Sequence, residues 1–266
     1  MRNKKQLPNM NKANPTTFKC SVNKSAVKKR SFSNFIRSVI LFLPLLLSGC
    51  ANADNTNMKD QSLGDKNAIE AQAQQIVSFD STQLVKTAEM LDEDLYWSII
   101  DKSLKNTNNQ EQQEQFLIKE ISKLTPKQMI GFRLRTDKLL YDTYNAEMWC
   151  AGYIMNGGCS DDGFEYFRNW VISRGKDTYL KAKQNPDNLI TQVREDVEYY
   201  EFESFWYVAL EAFRQKTGEN LYDYIDNDHF TTKEGNYPQF KFTWKEEDPE
   251  SMKKICPRLF EKFEHN

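Results

Sequence analysis

Apolar residues along most of this chain recur every three or four positions, the spacing that gathers them on one face of an α-helix. Leu91, Leu95, Ile99 and Leu104, with Trp97 and Ile100, predict a first helix. Phe116, Leu117, Ile121 and Leu124 predict a second. Thr125-Pro126-Lys127-Gln128 reads as a helix start: threonine as cap, proline at the first helical position, glutamine three residues after the threonine. Met129, Phe132, Thr136, Leu139 and Leu140 carry that helix onward, and the pattern runs through Tyr144 and Trp149 to Ile154 with a bend expected near Asn145. Asn156-Gly157-Gly158 ends it, because glycine accepts the left-handed turn that follows a helix.

Ser160 is suited to cap the next helix, and Asp161 and Asp162 in its first turn favour the positive end of the helix dipole. Phe164, Phe167 and Val171 form its buried stripe, Gly175 stops it, and a short helix follows from Lys176 to Lys183. The clearest helix is expected from about Val197 to Thr217, with Tyr199, Phe202, Trp206, Ala209 and Phe213 on one face, Phe205 and Leu210 beside them, and Gly218 at its end. From Asn227 to Trp244 the chain is loop-like, and the alternation Tyr237, Phe240, Phe242, Trp244 suits an extended stretch or a short hairpin. A last helix is predicted from Pro249 to Phe263. The fold class is therefore mainly α, an irregular or orthogonal helical bundle in a single domain over residues 82–266.

The first 49 residues depart from this pattern, with 10 Lys and Arg and no Asp or Glu. The apolar run from Val39 to Leu47 follows, too short to span a bilayer, which needs ~20 residues. A basic stretch, a short apolar stretch and small residues before a cut form the pattern of an export signal. Leu47-Ser48-Gly49-Cys50 resembles the lipobox of bacterial lipoproteins. The resemblance implies cleavage before Cys50, a diacylglyceryl group on its sulfur, and an acylated (for example palmitoylated) new N-terminus. Two or more acyl chains hold a protein stably on a membrane. It also implies a place in the cell envelope, on the periplasmic face of the outer membrane in a Gram-negative organism, since Ala51 follows the cysteine. Residues 50–81 are polar and read as a flexible tether, with a marginal helix possible over Asn67 to Val77.

Removing the leader changes the charge. The whole chain carries 36 Lys+Arg and 38 Asp+Glu; without the 10 leader cations, 26 face 38, about −12 for the mature protein. Such a surface repels nucleic acid and anionic headgroups, so the expected membrane contact is through lipid on Cys50 and nucleic acid is not an expected partner. Beyond the leader and the anchor, the cysteines are Cys150, Cys159 and Cys256. They allow one disulfide and a leftover thiol, or three separate buried thiols, the simpler reading. The two histidines, His229 and His265, make a histidine-based triad or multi-histidine metal site a poor expectation. No cofactor is implied.

The segment Trp149 to Trp170 is the most unusual. Asn156-Gly157-Gly158-Cys159-Ser160-Asp161-Asp162-Gly163-Phe164, then Phe167-Arg168-Asn169-Trp170 and Gly175, resemble the bacterial family known as domain of unknown function 4240. The resemblance extends from about Leu95 to Phe263, with Tyr96-Trp97-Ser98-Ile99-Ile100 near its start and Pro257-Arg258-Leu259-Phe260 near its end. It carries no activity, and an export signal is not expected of the family.

Two functional readings remain. Asp161 and Asp162 at a helix start can hold a cation or serve as acid and base, which suggests a hydrolase or divalent-metal enzyme. Asp161, Glu165 and Arg168 share a helical face, and Tyr207, Glu211 and Arg214 form a second polar stripe; if these faces meet, a cleft of carboxylates and arginines results. The simpler reading is a capping turn on a packed Phe/Trp helix, with the aromatic cluster Tyr199 to Tyr207 as core. The absence of a recognisable catalytic set then favours a tethered binding module engaging a protein or small ligand.

Overall fold

The computed structural model describes residues 84–264; the basic leader, Cys50 and the expected tether with its marginal helix lie outside the described residues. The domain is mainly helical, as the periodicity predicts. Helix α1 (Glu93–Asn106) starts where the Asp92 side chain accepts from Leu95 N at 2.9 Å. Helix α2 (Gln110–Ile121) is capped by Asn109, and α3 (Pro126–Asp142) by the reciprocal Thr125/Gln128 capping box.

The bend expected at Asn145 is a full break. Its side chain accepts from Met148 N at 2.8 Å and so starts a separate helix, α4 (Ala146–Asn156). An asparagine that satisfies an orphan N–H stabilises a new helix start rather than a continuing one. Gly157, at φ 65°, closes α4 in the left-handed turn. Ser160 then caps α5 (Asp161–Ser173), and α6 (Lys176–Gln184) follows.

The long helix expected from Val197 does not form. Residues 193–202 are irregular, a 3-10 turn covers Glu203–Tyr207, and only Val208–Thr217 is α-helical (α7). Three bonds hold the irregular stretch. Asn156 Oδ1 accepts from Tyr200 N at 2.8 Å, Tyr166 O accepts from Phe202 N at 3.0 Å, and the Tyr200 hydroxyl accepts from Arg194 N at 3.0 Å. The first two replace the helical ladder with partners far away in sequence, and the third ties the stretch to itself. Tyr200 and Phe202 are buried while Tyr199 is 56% exposed, so Tyr199 does not belong to the core face.

The expected C-terminal helix is two helices, α8 (Pro249–Ile255) and α9 (Pro257–Glu264), because Pro257 has no N–H to continue the ladder. Between α7 and α8 no strand forms among the described residues. The alternation there still points inward: Phe240 and Phe242 pack against Trp149, Trp244 packs against Tyr153 and Phe242, and Trp244 Nε1 donates to Ala146 O at 2.8 Å.

Helix α7 packs across α2 and α3, α5 against the 203–207 turn, and α9 against α4 and the 3-10 segment Pro186–Gln192. Gly131 lets the incoming chain press on α3, since a Cβ there would lie 2.8 Å from Leu91 N. Cys150, Cys159 and Cys256 are buried thiols. A hydrogen bond to Cys150 and burial push the Cys256 thiol well up, which keeps it protonated and inert.

Candidate functional site

Helix α3 places Arg133 and Asp137 one turn apart within a face that is otherwise apolar. Arg133 Nη2 lies 2.8 Å from Asp137 Oδ1 and Nε donates to Oδ2 at 3.3 Å; the side chains are 3% and 7% exposed. The 203–207 turn covers them. Trp206 sets its ring 3.3 Å beneath the guanidinium carbon, and its carbonyl accepts from Arg133 Nη1 at 3.0 Å. Trp206 Nε1 donates to the Tyr222 hydroxyl at 3.2 Å. Above this floor opens a hollow of about 240 Å³, with Tyr222, Phe230, Lys233 and Glu234 as its walls.

Burial dominates the electrostatics of these groups. Burial raises Asp137 to about 6, outweighing the attraction of Arg133. Burial, then the nearby charge of Glu234, raises Glu165 on α5 to about 7, against the pull of Arg168 and Arg133. Two carboxyls beside two arginines thus titrate near neutrality.

Arg168, also on α5, is 1% exposed. Its guanidinium carbon lies 4.5 Å from the Phe164 ring, 4.9 Å from Tyr237 and 5.0 Å from Tyr144. Nη1 donates to Leu140 O at 2.7 Å and Nε to Phe164 O at 3.3 Å. Arg168 is therefore a cation boxed by rings at the C-terminal end of α3, where the helix dipole favours positive charge. It organises the packing of α3 and α5.

Glu165 and Arg168 are thus brought to the neighbourhood of Arg133 and Asp137. Asp161 and Asp162 face solvent in the first turn of α5. Glu211 and Arg214 bind one another, with Arg214 Nη2 2.8 Å from Glu211 Oε1 and Gln215 Nε2 donating to the same oxygen at 2.8 Å. They line a different hollow of about 490 Å³ with Tyr207 and Leu221, to which α5 contributes no residue. Among the described residues no group of three or more His, Cys, Asp and Glu is arranged to hold a metal ion. The residues that sequence reasoning missed are Arg133, Asp137, Trp206 and Tyr222. The available signal was a pair of opposite charges at i and i+4 inside the stripe Ile130, Leu134, Leu140.

The shifted Glu165 gives a pH-dependent expectation. A carboxyl raised from 4.5 to about 7 keeps its proton in the folded protein where the unfolded chain has lost it. Stability is therefore lost as pH rises from about 4.5 to about 7. Glu165→Gln is expected to stabilise the domain at pH 8 by on the order of 1–3 kcal/mol, discounted for partial exposure, and to change little at pH 4. Urea melts at the two pH values check this, and an equal offset at both would contradict it.

Residues 91–215 match the model of a family described as Protein of unknown function (DUF4240), in agreement with the resemblance carried by Asn156 to Phe164 and Phe167 to Trp170. The matched segment holds Arg133, Asp137, Glu165, Arg168 and Trp206, whereas Tyr222, Phe230, Lys233 and Glu234 lie beyond it. No curated protein and no solved structure matches the chain.

Proposed function

We propose that this chain is a lipid-anchored protein of the bacterial envelope whose helical domain binds a small polar ligand in the hollow over Arg133 and Asp137. The anchor rests on Leu47-Ser48-Gly49-Cys50 and the basic and apolar leader before it. The observation that carries the binding reading is the floor of the hollow: a desolvated ion pair stacked on Trp206, with Tyr222 beside it and Lys233 and Glu234 in the wall. Aromatic surface with a few fixed charges of both signs suits a ligand that itself carries both, such as a zwitterion or a short peptide. An enzyme built on Ser160-Asp161-Asp162 has less support, because both aspartates are exposed in a first helical turn that Ser160 Oγ caps by accepting from Gly163 N at 3.1 Å.

Two measurements test the proposal together. Metabolic labelling with a palmitate analogue is expected to mark the wild-type chain, and Cys50→Ser to lose both the label and sedimentation with membranes. Native mass spectrometry of the protein incubated with a small-molecule extract of the envelope is expected to show a retained mass. Tyr222→Ala is expected to lose that mass with its melting temperature little changed, because Tyr222 is 41% exposed. A label that survives Cys50→Ser sinks the anchor; a retained mass that survives Tyr222→Ala sinks the site.

A further inference from the structure

A third hollow, of about 550 Å³, opens where α1 ends, α2 begins and residues 192–200 pass over α5. Arg174, the residue after α5, lies half-buried in its wall. Its Nε and Nη2 donate to Ser173 Oγ at 3.1 and 3.0 Å, and Nη2 also donates to Gln113 Oε1. These partners are neutral, and among the described residues no carboxylate forms an ion pair with Arg174. Arg133, Arg194, Arg214 and Arg258 each have one, and Arg168, which has none among the described residues, is enclosed by aromatic rings instead. Burial, and then repulsion from Arg194, lower Arg174 to about 10.

The charged residues of the pocket are Arg174, Arg194 and Asp196, and Asp196 is already held by Arg194, with Nη2–Oδ2 at 2.7 Å and Nε–Oδ1 at 3.0 Å. A net positive lining therefore sits on a mature chain of about −12, so the charge is local to this pocket. The side-chain amides of Asn108 and Gln192 add polar groups. Trp170 forms part of the wall, and Tyr199, 56% exposed, stands at it with its ring open to solvent.

We propose that this pocket binds a small ligand carrying an oxyanion, carboxylate or phosphate, on a flat apolar body, with Arg174 taking the oxyanion and Tyr199 the body. A guanidinium meets either anion with paired, charge-assisted hydrogen bonds, and such a ligand supplies the negative charge that the protein does not place beside Arg174. An aromatic ring open to solvent next to that charge offers a face on which a planar body stacks. The site is separate from the hollow over Arg133, so it stands or falls independently of the function proposed above.

The test uses the full chain in detergent and three fluorinated probes followed by ¹⁹F NMR: fluorobenzoate, fluorophenyl phosphate and neutral fluorobenzyl alcohol. At least one anion is expected to bind at least about tenfold more tightly than the alcohol. Which anion binds better distinguishes a carboxylate ligand from a phosphate one. Arg174→Gln is expected to abolish the preference for the anion. Tyr199→Ala is expected to weaken the anionic probes by about threefold or more at an unchanged melting temperature. If Arg174→Gln does not fold, Arg194→Ala replaces it, with a loss of about threefold or more expected because the second cation is removed. The proposal is overturned if no anion binds, if the alcohol binds as well as the anions, or if the arginine variant keeps the preference.

Discussion

Asp137→Leu alone is expected to destabilise the domain by about 3–5 kcal/mol, whereas Arg133→Met with Asp137→Leu is expected to lie within about 2 kcal/mol of the wild type. The single change leaves Arg133 charged, 3% exposed and stacked on Trp206 with no counter-ion. An uncompensated buried charge is the costly case. The double change removes both charges and fills the same space with apolar atoms, and so avoids both desolvation penalties. Arg133→Met alone is expected to be milder than Asp137→Leu, because Asp137, raised to about 6 even beside Arg133, can take up a proton and become neutral. Urea denaturation of the four species gives the coupling energy directly. If the double variant were as unstable as the sum of the singles, the pair would not be acting as a unit. Since the same pair floors the hollow, the double variant also separates binding from folding: a stable protein that no longer retains ligand would place recognition on these charges.

The second large effect belongs to Arg168. Arg168→Met is expected to lower stability by about 2–4 kcal/mol, and Arg168→Lys to restore little of it. Methionine fills the volume of the stem but leaves Leu140 O without its 2.7 Å donor and the rings of Phe164, Tyr144 and Tyr237 without the cation between them. Lysine restores the charge as a point. It cannot lie flat among three rings and donate to Leu140 O and Phe164 O at once, which the planar guanidinium does. Thermal melts of the two variants decide the matter; recovery to wild type by lysine would show that charge alone, not the planar fork, is what α3 and α5 require.

Much of the fold was legible because helix ends are local chemistry. Thr125 with Gln128, Ser160 before two aspartates, and the glycines at 157, 175 and 218 each mark a boundary through bonds or dihedrals confined to a few residues. Asn145 carries the same kind of signal, and its cap makes the expected bend a helix start. The stretch 197–207 shows what is not local. Its aromatic spacing suits a helix, yet its backbone is claimed by Asn156 and Tyr166, residues distant in sequence. A hydrophobic period cannot register a competing partner of that kind.

The candidate site divides the same way. Glu165 and Arg168 were legible as one helical face, and the structure sets them near Arg133 and Asp137. The spacing of Arg133 and Asp137 was equally visible. What makes that pair exceptional is Trp206, 73 residues downstream, which strips it of water. Desolvation is a property of the assembled wall and is not written in any window of sequence. Asp161 and Asp162 stood out because adjacent acids are conspicuous, although a first turn welcomes them for dipole reasons alone.

The stretch that follows α7 has a consequence for how the chain comes to be folded. Trp244 closes over Ala146, Cys256 meets Cys150, and Asp187 is engaged by Arg258 at 2.8 Å and by Leu259 N at 2.9 Å. Helix α4 is thus sealed by Trp244 and Met252, 98 and 102 positions downstream of their partners Ala146 and Cys150. Polypeptides emerge from the N-terminus, so α1 to α7 exist as chain before the layer that covers them does. The segment 91–215 therefore lacks the residues that cover α4. Until residues 244–259 arrive, the side of α4 that Trp244 and Cys256 cover stays open, so the interior is expected to be completed late.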